Sequence, residues 1–196
     1  MSLDFATLLQ EAEVAHGHLC AGQILGVRMA MLGCQRLGIT EPRGADRKRL
    51  VTFVEIDRCA TDAIAVVTGC RLGKRALKFR DWGKMAATFV DLQTGRAIRL
   101  AALESSKDRA RELYPAIEGK NPQQMHAYRM MPDAELFSEQ WVTVPLDPRE
   151  MPGYKSARIA CAECGEGINY DREVRRDGRI LCQGCADVGG RYYQPV

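Results

Sequence analysis

MAATFVDLQTGRAIRLAAL, residues 85–103, is the stretch whose reading decides the fold class. Two apolar runs, Met85 to Leu92 and Ala97 to Leu103, flank Gln93-Thr94-Gly95, and the glycine there suits a tight turn. The stretch reads as an antiparallel hairpin. Working outward, Leu50 to Ile56 is rich in β-branched and aromatic residues and reads as a strand, as do Leu77 to Phe79 and Trp141 to Val144. Helical patterning lies before and after these strands. Asp4 can cap a first helix in which Phe5, Leu8, Leu9 and Ala12 recur at helical spacing. A second helix is expected from Gly22 to about Leu37, stopped by Gly38; apolar on most sides, it belongs in the core or against a partner. Thr61 or Asp62 is expected to cap a short helix ending at Gly69, and further helices are expected over Ser105–Tyr114 and Pro122–Met131. Helices first, then strands with segregated helices, make the chain α+β with a mainly antiparallel sheet.

The C-terminal region follows another logic. Cys161-Ala-Glu-Cys164 and Cys182-Gln-Gly-Cys185 form two CxxC pairs at a spacing that suits structural zinc. Four thiolates complete the tetrahedral shell that Zn²⁺ prefers. Between the pairs, Ile168 to Val174 reads as a strand, Asp177-Gly178 as a tight turn and Arg179 to Leu181 as the return strand. A redox CxxC is the alternative, but it normally opens a helix in a βαβ setting that is missing here. The prolines between Pro145 and Lys155 mark a linker. The expected organisation is a core domain over 1–144, a linker over 145–157 and a zinc-finger domain over 158–196.

Composition narrows the function classes. Of 196 residues, 46% are hydrophobic and 27% charged, as in an ordinary globular protein. The net charge is +3, and from Met151 onward seven Lys/Arg face six Asp/Glu, which argues against nucleic acid as the partner. The start of the chain lacks the basic and apolar regions of a signal peptide, and no apolar run has the length of a membrane span. Eight cysteines then read as reduced thiols and metal ligands, and the expected compartment is the cytoplasm.

Ligand-competent residues concentrate in His16-Gly17-His18-Leu19-Cys20-Ala21-Gly22. In an extended chain residues 16, 18 and 20 share one side; in a helix only His16 and Cys20 do. Cys20 and Cys59 each stand just before a predicted helix, where backbone N–H groups stabilise a thiolate. Cys70 follows Gly69, and Lys74, Arg80 and Lys84 add cations able to hold an anionic substrate or lower a thiol pKa. Taken singly, these three cations read as solvent-facing, Cys34 as a small buried hydrophobe, and His126 as a helix-surface residue. Spacing alone does not establish that Cys59 and Cys70 meet the histidine segment.

The motif at 16–22 resembles the opening of the FmdE family, which takes its name from formylmethanofuran dehydrogenase. So do residues 57–64 (Asp57-Arg58-Cys59-Ala60-Thr61-Asp62-Ala63-Ile64), 68–74 from Thr68 to Lys74, and 81–86 from Asp81 to Ala86. These motifs occur in order across roughly residues 14–92. The resemblance implies an α+β core that pairs as a homodimer, with a cavity lined by the His/Cys residues and a treble-clef zinc finger at the C-terminus. It also implies a link to one-carbon or molybdenum/tungsten metabolism, and so to a larger enzyme complex. It does not make this chain a dehydrogenase, because the redox chemistry of such an enzyme belongs to pterin-bound metal and iron–sulfur clusters on other subunits. The chain departs from the family pattern at Ala21, where proline is common, at Arg71, where threonine is common, and at Arg75-Ala76, where Gly-Asn is common.

The leading expectation is a cytoplasmic metal-binding protein. Its core would hold Zn²⁺ or another soft transition metal on His16 or His18 with Cys20, Cys59 and Cys70, leaving a position open. Cys20, Cys59 and Lys74 are the candidate catalytic residues. The alternatives are a non-catalytic metal or molybdenum-cofactor handler or assembly protein, an interaction module led by the zinc finger, and a thiol redox protein.

Overall fold

The structure is a computed structural model and describes residues 4–194 and 196. The chain divides into two compact units, Met1–Pro145 and Leu146–Val196.

The first unit opens with α1 (Phe5–His16), capped by Asp4, whose carboxylate accepts the Thr7 N–H at 2.8 Å. Gly17 ends it in a left-handed conformation. Helix α2 (Ala21–Leu37) runs to a left-handed Gly38, and its buried residues (Ile24, Val27, Met29, Leu32 and Cys34 among them) fall on most of its sides. Helix α3 (Cys59–Thr68) ends at Gly69 as expected, but it starts earlier than the sequence suggested. Thr61 does not cap it: its hydroxyl donates to the Ile56 carbonyl at 2.6 Å, and Asp62 lies inside the first turn. The earlier start makes Cys59 the first helical residue.

Five strands form one sheet: β1 (Leu50–Val54), β2 (Leu77–Phe79), β3 (Ala86–Asp91), β4 (Ala97–Ala102) and β5 (Phe137–Val142). Their order is β2-β1-β3-β4-β5, with β1 and β2 parallel and every other pair antiparallel. Phe89 lies opposite Thr52 on one side and Ile98 on the other, and this face packs against α2. Contact is close enough that a Cβ at Gly33 would sit 2.4 Å from the Phe89 ring. Strand β5 starts four residues before the expected Trp141, because Phe137 is buried opposite Ala102 while the exposed Ser138, Glu139 and Gln140 mask the pattern. Helices α4 (Ser105–Leu113), α5 (Lys120–Met130) and α6 (Asp133–Leu136) fill the connection from β4 to β5.

Among the buried polar groups, Glu55 is held by both arms of the Arg99 guanidinium at 2.7 Å, and Asp91 by Arg49 and Thr94. Burial opposes ionisation of Asp91, but these donors together hold its carboxyl below the usual range.

The second unit is built from short pairs: β6 (Ile159–Ala160) with β7 (Gly167–Ile168), and β8 (Val174–Arg176) with β9 (Arg179–Leu181). Asp177 and Gly178 both take left-handed conformations, as a two-residue hairpin turn requires. The strand expected from Ile168 to Val174 is broken, because Tyr170 and Asp171 also turn left-handed, with φ of 62° and 52°. Among the described residues, only Cys161, Ile168, Leu181 and Ala186 form its buried apolar cluster, too little to hold a fold without a staple. Among the described residues, no helix is long and apolar enough to cross a membrane.

Candidate metal centres

In the second unit the Sγ atoms of Cys161, Cys164, Cys182 and Cys185 lie within 4.8 Å of one another, with Cys164 and Cys182 4.0 Å apart. Tetrahedral Zn²⁺ with its usual bonds to sulfur places the sulfurs about 3.8 Å apart, so the four thiols need close in only slightly. Backbone donors already point at them. The Cys182 N–H reaches Cys161 Sγ at 3.2 Å, and the Cys185 N–H reaches Cys182 Sγ at 3.3 Å. Hydrogen bonds from the backbone of Cys164 and Cys182 hold the Cys161 thiol down at about 6. Cys185, bonded to Cys182 and partly desolvated, is pushed up to about 12. Binding of a divalent cation to such a set releases the thiol protons. The donor set fits a closed, structural zinc.

The first unit brings together a different set. One ligand atom each from His16, Cys20 and Cys59 lies within 4.8 Å of the others, and all three residues are partly buried. Each comes from a different helix. His16 is the last residue of α1, Cys20 the N-cap of α2 and Cys59 the first residue of α3. Small residues make this convergence possible. A Cβ at Gly26 would lie 2.5 Å from the Ala60 carbonyl oxygen, so only glycine lets α2 and α3 approach this closely. One turn earlier, Gly22 faces the site itself, 3.3 Å from Cys59 Cβ and 3.6 Å from Cys20 Sγ when its missing Cβ is built.

Around the cluster, His16 Nδ1 bonds Asp62 Oδ2 at 2.8 Å. A carboxylate on one ring nitrogen fixes the tautomer and leaves Nε2 for another partner. His18 is exposed and leans on His16, with ring centroids 4.8 Å apart. The sequence placed Cys59 where a helix N-terminus lowers a thiol pKa. Instead, burial and the neighbouring Cys20 push the Cys59 thiol up.

Cys70 is not drawn into this group. It is buried beside β1, with its sulfur 3.5 Å from Thr52 Oγ1 and 3.6 Å from the Leu50 carbonyl oxygen. It lies in the connection just past the Gly69 stop of α3, a placement that the spacing of motifs along the chain does not report. Lys74, Arg80 and Lys84 are exposed, with Lys74 on the turn that follows Cys70. Cys34 is fully buried in α2 and pushed up to about 12 by burial, and His126 is exposed on α5 with its ring against Tyr114. Sequence reasoning missed Asp62 as the partner of His16 and Gln23 as a buried neighbour of Cys59. Asp62 stands one helical turn after Cys59, and that spacing was the available signal.

Fold and cysteine shell together define a metal-binding α+β protein with a four-cysteine zinc finger. The family model described as FmdE, molybdenum formylmethanofuran dehydrogenase operon, matches residues 15–139, and the chain belongs to that family. The prokaryotic dksA/traR C4-type zinc finger matches residues 153–188. A probable S-adenosyl-L-methionine-binding protein of Archaeoglobus fulgidus is 30% identical over 210 residues, covering 96% of this chain and 54% of the relative. The chain thus spans about half the length of that curated relative. A tungsten formylmethanofuran dehydrogenase FmdE-like protein from Syntrophus aciditrophicus shares the fold, with a TM-score of 0.63 at 18% identity over 96% of this chain and 95% of that one.

Proposed function

We propose that the core is a second metal centre, in which His16 Nε2, Cys20 Sγ and Cys59 Sγ bind Zn²⁺ or another soft transition metal and leave one position open. The observation that carries the reading is the convergence of three soft or borderline donors from three helices within 4.8 Å. Two thiolates and an imidazole suit zinc, copper or iron and disfavour magnesium and calcium. Three protein ligands leave a fourth place for water or a small ligand, which the ion would polarise. Asp62 holds the imidazole in the ligating tautomer, and the N-termini of α2 and α3 offset the charge of the thiolates. The centre works in the cytoplasm, in a protein that pairs as a homodimer and serves one-carbon or molybdenum/tungsten metabolism; membership of the FmdE family supports this.

The test is metal content of the full chain beside its Cys59→Ala variant. About two metal ions per wild-type chain and about one in the variant are expected, since losing one of three protein ligands cripples affinity. One ion per chain in both would leave only the structural zinc and end the proposal. The similarity to a probable S-adenosyl-L-methionine-binding protein supports a second reading, in which the core takes that sulfonium nucleoside. Equilibrium dialysis of the metal-loaded protein with S-adenosylmethionine decides it, and no retention at millimolar ligand would discard it.

A further inference from the structure

Gln23 breaks the local rule of its helix. It is fully buried among apolar neighbours on α2, and its side-chain Oε1 has no hydrogen-bond partner among the described residues. Burying half an amide unsatisfied costs roughly 1–3 kcal/mol, so methionine or leucine would serve packing better. The other half of the side chain is engaged. Nε2 donates to the Cys59 carbonyl oxygen at 2.8 Å, across the interface between α2 and α3. The backbone N–H of the same residue donates to the Cys20 carbonyl oxygen at 3.1 Å. One residue therefore grips the main chain of both cysteines in the core cluster. Residues that violate local preference without a packing gain tend to mark functional sites.

We infer that Gln23 is a positioning residue of the core centre, fixing the separation of Cys20 and Cys59 and thereby the affinity and geometry of the metal they hold. This inference rests on the metal centre proposed above. The amide acts through the backbone of Cys59 and does not touch the ion. Gly22 beside it and Gly26 one turn on let the helices meet, and Gln23 then ties them at the level of the two sulfurs.

The experiment is a Co²⁺ titration of the full chain with zinc kept in the tail, run on wild type, Gln23→Met and Gln23→Leu, with a thermal melt of each metal-free core. Methionine and leucine fill the space and remove the donor. The expected result is Co²⁺ binding weakened by about 10–100-fold, the usual effect of losing an outer partner of a metal ligand. The thiolate-to-cobalt absorption should also be altered, with a melting temperature unchanged or higher. Unchanged affinity and spectrum in both variants overturn the inference. So does a fall in melting temperature in step with affinity, which would make Gln23 an ordinary core hydrogen bond. If wild type itself takes up no second Co²⁺, the centre and this inference fall together, whereas binding by wild type and both variants alike removes only the role of Gln23.

Discussion

The two cysteine clusters are built in opposite ways. In the tail, each sulfur has a second one three residues away, and backbone donors already reach Cys161 and Cys182, so the shell is local, complete and closed. In the core, the donors end three separate pieces of chain, and the cluster forms only because α2 and α3 touch through glycine and alanine. The tail uses its metal to have a fold at all. The core has its fold from apolar packing, and under the proposed reading it would leave a coordination position open.

The largest effect that would sharpen this contrast is in the tail. Cys161→Ser should abolish zinc binding there, and structural zinc contributes about 10–16 kcal/mol in isolated fingers. Hydrogen exchange should then show protection lost over residues 158–188 and kept in the core strands; retained protection in the tail would break the comparison. Next is Gly26→Ala, which forces a methyl into the Ala60 backbone and should cost about 1–3 kcal/mol in denaturant unfolding, with loss of the second metal ion. Wild-type metal uptake in that variant would show that close helix approach does not build the centre. Asp62→Asn should weaken core metal binding by about 10–100-fold while leaving the tail's zinc in place. Because Asp62 is largely exposed, global stability should move by no more than about 0.5 kcal/mol, as a thermal melt would show. The smallest effect is expected from Cys70→Ala, on the order of 1 kcal/mol with metal content unchanged. A loss of one ion per chain there would restore Cys70 to the ligand set.

What the sequence disclosed follows the same division. The hairpin from Met85 to Leu103 was legible because turn chemistry and flanking apolar runs agree, and the CxxC pairs because their ligands are neighbours in the chain. Cys59 was correctly placed near a helix start, but Thr61 looked like a cap, and only the structure shows its hydroxyl turned back to Ile56. Tyr170 and Asp171 interrupt a run that reads as a strand, since left-handed backbone at non-glycine residues leaves little compositional trace. Cys70 and Gln23 were illegible for a shared reason. Whether a side chain faces a site or the core depends on helix phase and on how connections pack against the sheet, and these are set by contacts distant in sequence.

One consequence of drawing donors from α1, α2 and α3 reaches beyond chemistry. An ion seated there is a reversible rivet through three helices, and it joins segments the unfolded chain would let wander apart. With the proposed ion bound, stability of the N-terminal half would track the supply of free ion, by about 2.7 kcal/mol when that supply stands a hundredfold above the dissociation constant. A cell starved of the metal would hold the same polypeptide in a looser and more perishable form.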